Sequence, residues 1–206
     1  MSRHRSLAAV ALAAALTVTL AGCFAASPTA PTSGEPSSAE TTPTTEASAP
    51  PALTVDPATG VLLTGTGYSA NAPEGWTVPA DAPAAADIFA VSSPDADGFY
   101  NTVNVLFAPA NGDDADTREI MGVAYLEGIG ATEVEVRPRV AVASVETVHI
   151  SASRTSSGGA GYRSEQYIVP ADGVDYTVTF VFNLSLPQAD RETLAESVLA
   201  SWVWTS

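Results

Sequence analysis

Between Val174 and Asn183 the side chains alternate without a break: Val174, Tyr176, Val178, Phe180 and Phe182 fall on one face, Asp175, Thr177, Thr179, Val181 and Asn183 on the other. Period two of this kind marks a strand with one face in a core. Upstream, Arg163, Glu165 and Tyr167 alternate less cleanly with Tyr162, Ser164, Gln166 and Ile168. Pro170-Ala171-Asp172-Gly173 separates the two runs, which predicts a hairpin. From Pro187 the period changes. Leu194, Ala195, Val198, Leu199 and Trp202 recur at spacings of three and four, giving a helix with proline in its first turn and Trp202 and Trp204 as packing groups at its end. Asp190 and Glu192 sit near the positive end of its dipole. A second helix is predicted from about Asp114 to Glu127, with Met121, Ala124, Tyr125 and Gly128 on its apolar stripe and Gly128 and Gly130 as stop signals.

Strands are predicted at 132–136, 140–142 and 145–152, interrupted by Arg137-Pro138-Arg139, and before them at 61–64, 67–71, 87–91 and 102–107. Pro73, Pro79 and Pro83 keep the intervening stretch irregular. Strands, one helix, more strands and a final helix define an α+β class, an antiparallel sheet with helices packed on its faces.

The first fifty residues follow no such pattern. Arg3, His4 and Arg5 precede an uncharged run of fifteen residues, 7–21, that is too short to span a bilayer comfortably and reads as the core of a secretory signal. It closes on Leu20-Ala21-Gly22-Cys23, which resembles the lipobox of bacterial lipoproteins. That resemblance implies a diacylglycerol on the Cys23 sulfur, cleavage after Gly22, and attachment to the outer face of the cell membrane. Two or three acyl chains hold a protein there stably, where one is marginal. Residues 24–51 are almost entirely Ala, Ser, Thr and Pro, too poor in apolar groups to offset the entropy of ordering. The expected organisation is a signal peptide at 1–22, a lipidated cysteine and disordered spacer at 23–52, and one folded domain at 53–206. The spacer would reach about 30 Å as a coil and about 80 Å if its prolines extend it, and its Ser/Thr/Pro density suits O-glycosylation.

Composition narrows the chemistry. Eight arginines and no lysine face twenty-three acids, and loss of Arg3 and Arg5 with the signal leaves a net charge of −17. That balance excludes nucleic acid as a partner and disfavours anionic headgroups. Without lysine there is no phosphate-loop lysine and no Schiff-base amine. A single cysteine rules out an intrachain disulfide and a cysteine zinc site. No cofactor is expected, and a monomer is.

Four segments carry a family resemblance: Tyr68-Ser69-Ala70-Asn71-Ala72-Pro73-Glu74-Gly75-Trp76, then Asn101-Thr102-Val103-Asn104-Val105 ahead of a helix, Tyr176-Thr177-Val178-Thr179-Phe180, and a terminal helix ending Ser201-Trp202-Val203-Trp204. In order and spacing they resemble the Mog1/PsbP-like fold, and within it the actinobacterial LpqN/LpqT-type lipoproteins, over most of residues 60–206. The resemblance implies an α/β/α sandwich and a binding role. PsbP-like proteins dock on photosystem subunits and Mog1-like proteins on a small GTPase, while LpqN-type lipoproteins are associated with the envelope and its lipids or proteins. It brings no catalytic residue with it.

Individual candidates follow from the residues. His149, the one histidine left after processing, is placed by period two with Thr147 and Ser151 on a polar, solvated face. A hydrolase would have to use it, yet no G-x-S-x-G elbow surrounds any serine. Asn111-Gly112-Asp113-Asp114-Ala115-Asp116 and Asp95-Ala96-Asp97-Gly98 hold oxygen ligands without calcium-loop spacing, and helix capping explains the former equally well. Ser156-Ser157-Gly158-Gly159-Ala160-Gly161 reads as a hairpin loop. Arg137 and Arg139 could meet a carboxylate or phosphate, or offset Glu133 and Glu135. Trp76, Tyr125, Tyr162 and Trp202, with Trp204, are the aromatics expected to line a groove between sheet and helices. The expected function is a non-enzymatic, lipid-anchored envelope protein binding an apolar lipid or glycolipid, or a protein partner as an adaptor.

Overall fold

The computed structural model of the chain describes residues 49–205. Its elements, in chain order, are β1 (Leu62–Thr64), β2 (Tyr68–Asn71), β3 (Ile88–Val91), β4 (Thr102–Pro109), α1 (Ala115–Gly128), β5 (Thr132–Val142), β6 (Val145–Thr155), β7 (Gly161–Ala171), β8 (Val174–Asn183), α2 (Gln188–Ala200) and β9 (Val203–Trp204). β3-β4-β8-β7-β6-β5 form one antiparallel sheet and β1-β2-β9 a smaller one. This is the α+β architecture that the sequence predicts.

The β7–β8 hairpin turns on Asp172 and Gly173, whose φ values of 49° and 76° are the left-handed pair that a two-residue turn requires to match strand twist. The alternating face of β8 is buried as expected, with Val178, Phe180 and Phe182 fully covered. With Val103 and Val105 of β4 and Tyr167 and Val169 of β7 it packs beneath Ala195, Val198 and Leu199 of α2 and Leu63, Tyr68 and Ala70 of the small sheet. On the opposite face a second cluster, Val148, Ile150 and Ala152 with Leu126 and Ala131, lies beneath α1. The layers are therefore α1, the large sheet, and α2 with the small sheet.

Several predicted details change. Arg137-Pro138-Arg139 does not break the strand: β5 runs through it with a register shift between Arg137 and Val140, because a bulge on an edge strand absorbs a proline that donates no ladder bond. The terminal helix stops at Ala200, and Val203–Trp204 joins the small sheet, Trp204 opposite Tyr68. Pro187 caps α2 from outside its first turn, accepting from Asp190 and Arg191 N–H. The apolar stripe of α1 is also displaced. Met121 and Tyr125 point outward, 52% and 61% exposed, whereas Leu126 is fully buried. Gly122 brings this helix close to the sheet, since a Cβ there would stand 2.5 Å from Ile150 Cδ1. The helix carries two apolar stripes, and the glycine decides which one seats.

The expected signal segment, Cys23 and the expected spacer up to residue 48 lie outside the described residues. Within the expected spacer, Pro51 C=O accepts from Ala141 N–H at 3.0 Å and Ala52 pairs with Ala141 in parallel, so the chain already follows the edge of β5 there.

Candidate functional site

His149 shares its face with Thr147 and Ser151 as predicted, but that face is not solvated. His149 is 3% exposed, and Thr147 and Ser151 are buried too. His149 Nε2 lies 3.1 Å from Glu165 Oε2, and Arg191 Nε of α2 donates to Glu165 Oε1 at 3.2 Å. The His149 ring stacks on Tyr167, centroids 4.0 Å apart. Burial alone would raise the Glu165 carboxyl, yet hydrogen bonds from His149, Ser151 and Arg191 outweigh it and hold the group below the ordinary carboxylate range. Arg163 extends the polar layer, donating to Ser151 Oγ at 3.0 Å and Ser153 Oγ at 2.9 Å and pairing with Glu133. The sequence signal for this layer was Arg163-x-Glu165-x-Tyr167, polar residues sharing the core side of a strand.

Beside it, Arg137, Val140, His149, Glu192, Glu196 and the chain at Pro51–Thr54 enclose a pocket of about 310 Å³. Arg137 bonds Glu192 at 2.6 Å and approaches Glu135 at 3.6 Å. Arg139, which also lines the pocket, pairs with Glu119 at 2.6 Å, Glu146 at 3.3 Å and Asp116. Both arginines thus meet acids of the same chain.

The four candidate aromatics are not brought together. Trp76 and Trp202 are core residues, Trp202 stacked on Tyr68 with centroids 3.9 Å apart. Tyr162 is half-buried beneath the Arg154 guanidinium. Tyr125 stands on the outer surface of α1. There it joins Met121 and Ile120, which is 70% exposed. Between α1 and β5 runs a groove of about 420 Å³ lined by Ile120, Val123, Ala124 and Val136 and edged by Glu119 and Glu127. Sequence reasoning named Tyr125 but assigned this stripe to the core; nothing in the periodicity distinguished the stripes.

The acidic loops have local work. Asp114 caps α1 by accepting from Thr117 N–H at 2.8 Å, a bond that holds its carboxyl low. Asp95 Oδ1 accepts from Asp97 and Phe99 N–H, both at 2.9 Å. Ser156–Gly161 closes the β6–β7 hairpin through Ser156 N–H to Ala160 C=O.

No protein-family model matches the chain, and no curated protein matches it by sequence. Solved structures do match by fold. The Ran-binding protein Mog1p of Saccharomyces cerevisiae aligns at TM-score 0.52 and 10% identity, covering 71% of this chain and 96% of that one. LpqN of Mycobacterium tuberculosis, described as involved in cell envelope biogenesis, aligns at TM-score 0.50 and 10% identity, covering 69% and 86%. A structure from Bacteroides thetaiotaomicron aligns at 0.48 and 15% over 72% of this chain, which spans only half of that protein's length. The chain has the fold of Mog1p and LpqN.

Proposed function

We propose that this chain is a non-enzymatic binding protein of the bacterial cell envelope, exported, held at the outer face of the membrane by acyl chains on Cys23, and engaging a protein partner through the outer surface of α1. The observation that carries the reading is the exposed apolar surface of α1, Ile120, Met121 and Tyr125, of which Ile120 also lines the apolar groove against β5. A surface helix normally turns such residues inward, and an apolar patch with a polar rim is what a protein interface presents. Glu119 and Glu127 edge the groove, and although Arg139 pairs with Glu119 the domain as a whole is rich in acid, so the complementary surface is apolar with a basic rim. The same charge disfavours direct contact with anionic lipid. The named neighbours support a binding role: one is called a Ran-binding protein, and LpqN is tied to envelope biogenesis.

The second reading, an apolar lipid or glycolipid as ligand, would need the large aromatics to surround a cavity; Tyr68, Tyr176, Trp202 and Trp204 instead pack on one another. Hydrolysis through His149 would need a nucleophile, and among the described residues its only hydrogen bond is to Glu165. Native mass spectrometry of the chain secreted from a related host, before and after delipidation, tests the proposal. The expected result is the same mass for the domain apart from acyl groups on Cys23. A co-purifying envelope lipid bound to a Cys23→Ala chain would replace the protein partner with a lipid ligand.

A further inference from the structure

The groove between α1 and β5 is bounded on one side by a sheet edge. β5 is the last strand of the six-stranded sheet, and among the described residues the backbone paired on its outer side is the chain's own Pro51-Ala52. We propose that the protein partner enters this groove as an extended segment and adds to the outer edge of β5 at Val136, with an apolar side chain in the groove and a basic one beside Glu127. This mode of attachment rests on the docking function proposed above.

The register shows which backbone groups are open. Val142 and Val145 close a two-residue turn at Ala143 and Ser144, both with positive φ, so they exchange both hydrogen bonds of a ladder pair. Such bonding recurs at every second residue of an antiparallel pair, which makes Val145, Thr147, His149 and Ser151 the residues of β6 that bond β5. Their partners Val140, Arg137 and Glu135 turn N–H and C=O inward, and Val136, between the last two, turns both outward. Ala141 obeys the same rule: its N–H leaves the sheet and donates to Pro51 C=O at 3.0 Å. One end of this edge therefore already pairs with extended backbone. Val136 has no bridge or hydrogen bond on its outer side among the described residues. Pro50 and Pro51 carry no N–H, so the chain's own lead-in supplies no donor to continue the ladder past Ala141.

The flanks set the length and character of the guest. Register shifts at Thr132/Glu135 and Arg137/Val140, with the missing N–H of Pro138, bound the open stretch, so a short segment is admitted and indiscriminate sheet extension is not. Val136 lines the groove of about 420 Å³ together with Ile120, Val123 and Ala124. A guest residue alongside Val136 projects to that same side, which calls for an apolar side chain there. Glu119 at the rim is held by Arg139, whereas Glu127 makes no ion pair among the described residues and calls for a basic one. A helical guest would fill the groove but leave the Val136 N–H and C=O without partners. An extended guest satisfies both, its main chain giving affinity and the groove selecting its side chain.

The test is photocrosslinking from Met121 of the full chain in the intact envelope, comparing Val136→Ala with Val136→Pro. Alanine trims the side chain and keeps the outward N–H. Proline removes that N–H where no ladder bond depends on it, a substitution that edge strands accept. Strand addition predicts that Val136→Ala lowers the yield of a discrete protein adduct about threefold and Val136→Pro about fivefold further. Equal yields from the two variants would overturn strand addition and leave the docking surface in place; no protein adduct from the native chain would overturn both. Because proline could unfold the strand, amide exchange at Val136 of the native chain gives a second measurement. It should be fast in the purified full chain and slow in the purified adduct. Protection already present in the purified chain would mean that its own residues ahead of Pro50 occupy the edge, and would overturn the proposal, as would fast exchange in the adduct.

Discussion

Glu165 receives His149 on one carboxylate oxygen and Arg191 on the other, at 3.1 and 3.2 Å, so that a single buried charge ties β6 and β7 to α2. Removing one member of such a group leaves the other charge in a low-dielectric environment without compensation. Arg191→Met should destabilise the domain by about 3–5 kcal/mol in denaturant titrations. The double variant Arg191→Met/Glu165→Gln should recover part of that loss, because no unpaired charge remains.

The same carboxylate makes stability depend on pH. Its folded-state pKa lies below the unfolded value of about 4.3, so its contribution is fully present above that value and is lost as pH falls through the lower folded one. The acid limb of the stability profile below about pH 4.3 should be steeper for the native chain than for Glu165→Gln, measured by urea unfolding at stepped pH.

Two glycines separate backbone demand from incidental flexibility. Gly173 has φ 76° in the β7–β8 turn, and Gly173→Ala should cost about 1 kcal/mol. Gly158, in the β6–β7 loop with no left-handed φ and only Ser156 Oγ, at 3.8 Å, near an added Cβ, should tolerate alanine within about 0.5 kcal/mol. Thermal unfolding of the two variants distinguishes them.

Anchoring makes a simple prediction. Cells fed an alkynyl palmitate should label the native chain and leave Cys23→Ala unlabelled, with the variant released from the membrane fraction into the medium. Equal labelling of both chains would remove Cys23 as the attachment point.

The α+β class and the faces of β7 and β8 were readable because alternation persists through Val174–Asn183 and a turn pair, Asp172-Gly173, fixes the hairpin register. β5 was divided in the sequence because a proline ordinarily ends a strand, and only its edge position and bulge explain its continuity. The polar layer was half legible. Period two placed His149 on the correct side, but its burial depends on α2 crossing that face, with Arg191 arriving from 26 residues beyond Glu165. The exposed stripe of α1 was illegible for a different reason: Met121-Ala124-Tyr125 and Val123-Leu126 are both apolar, and the close approach of Gly122 to Ile150 is a tertiary fact.

The central claim is that the outer surface of α1 receives a protein. The most direct measurement is photocrosslinking from Met121 in the intact envelope, compared with Ser157 in the β6–β7 loop and repeated with Ile120→Asp. Being a surface change, Ile120→Asp should alter stability by no more than about 0.5 kcal/mol. The account predicts a discrete protein adduct from position 121, none from 157, and its loss in Ile120→Asp. An adduct to lipid at 121, or equal yields at 121 and 157, would contradict it.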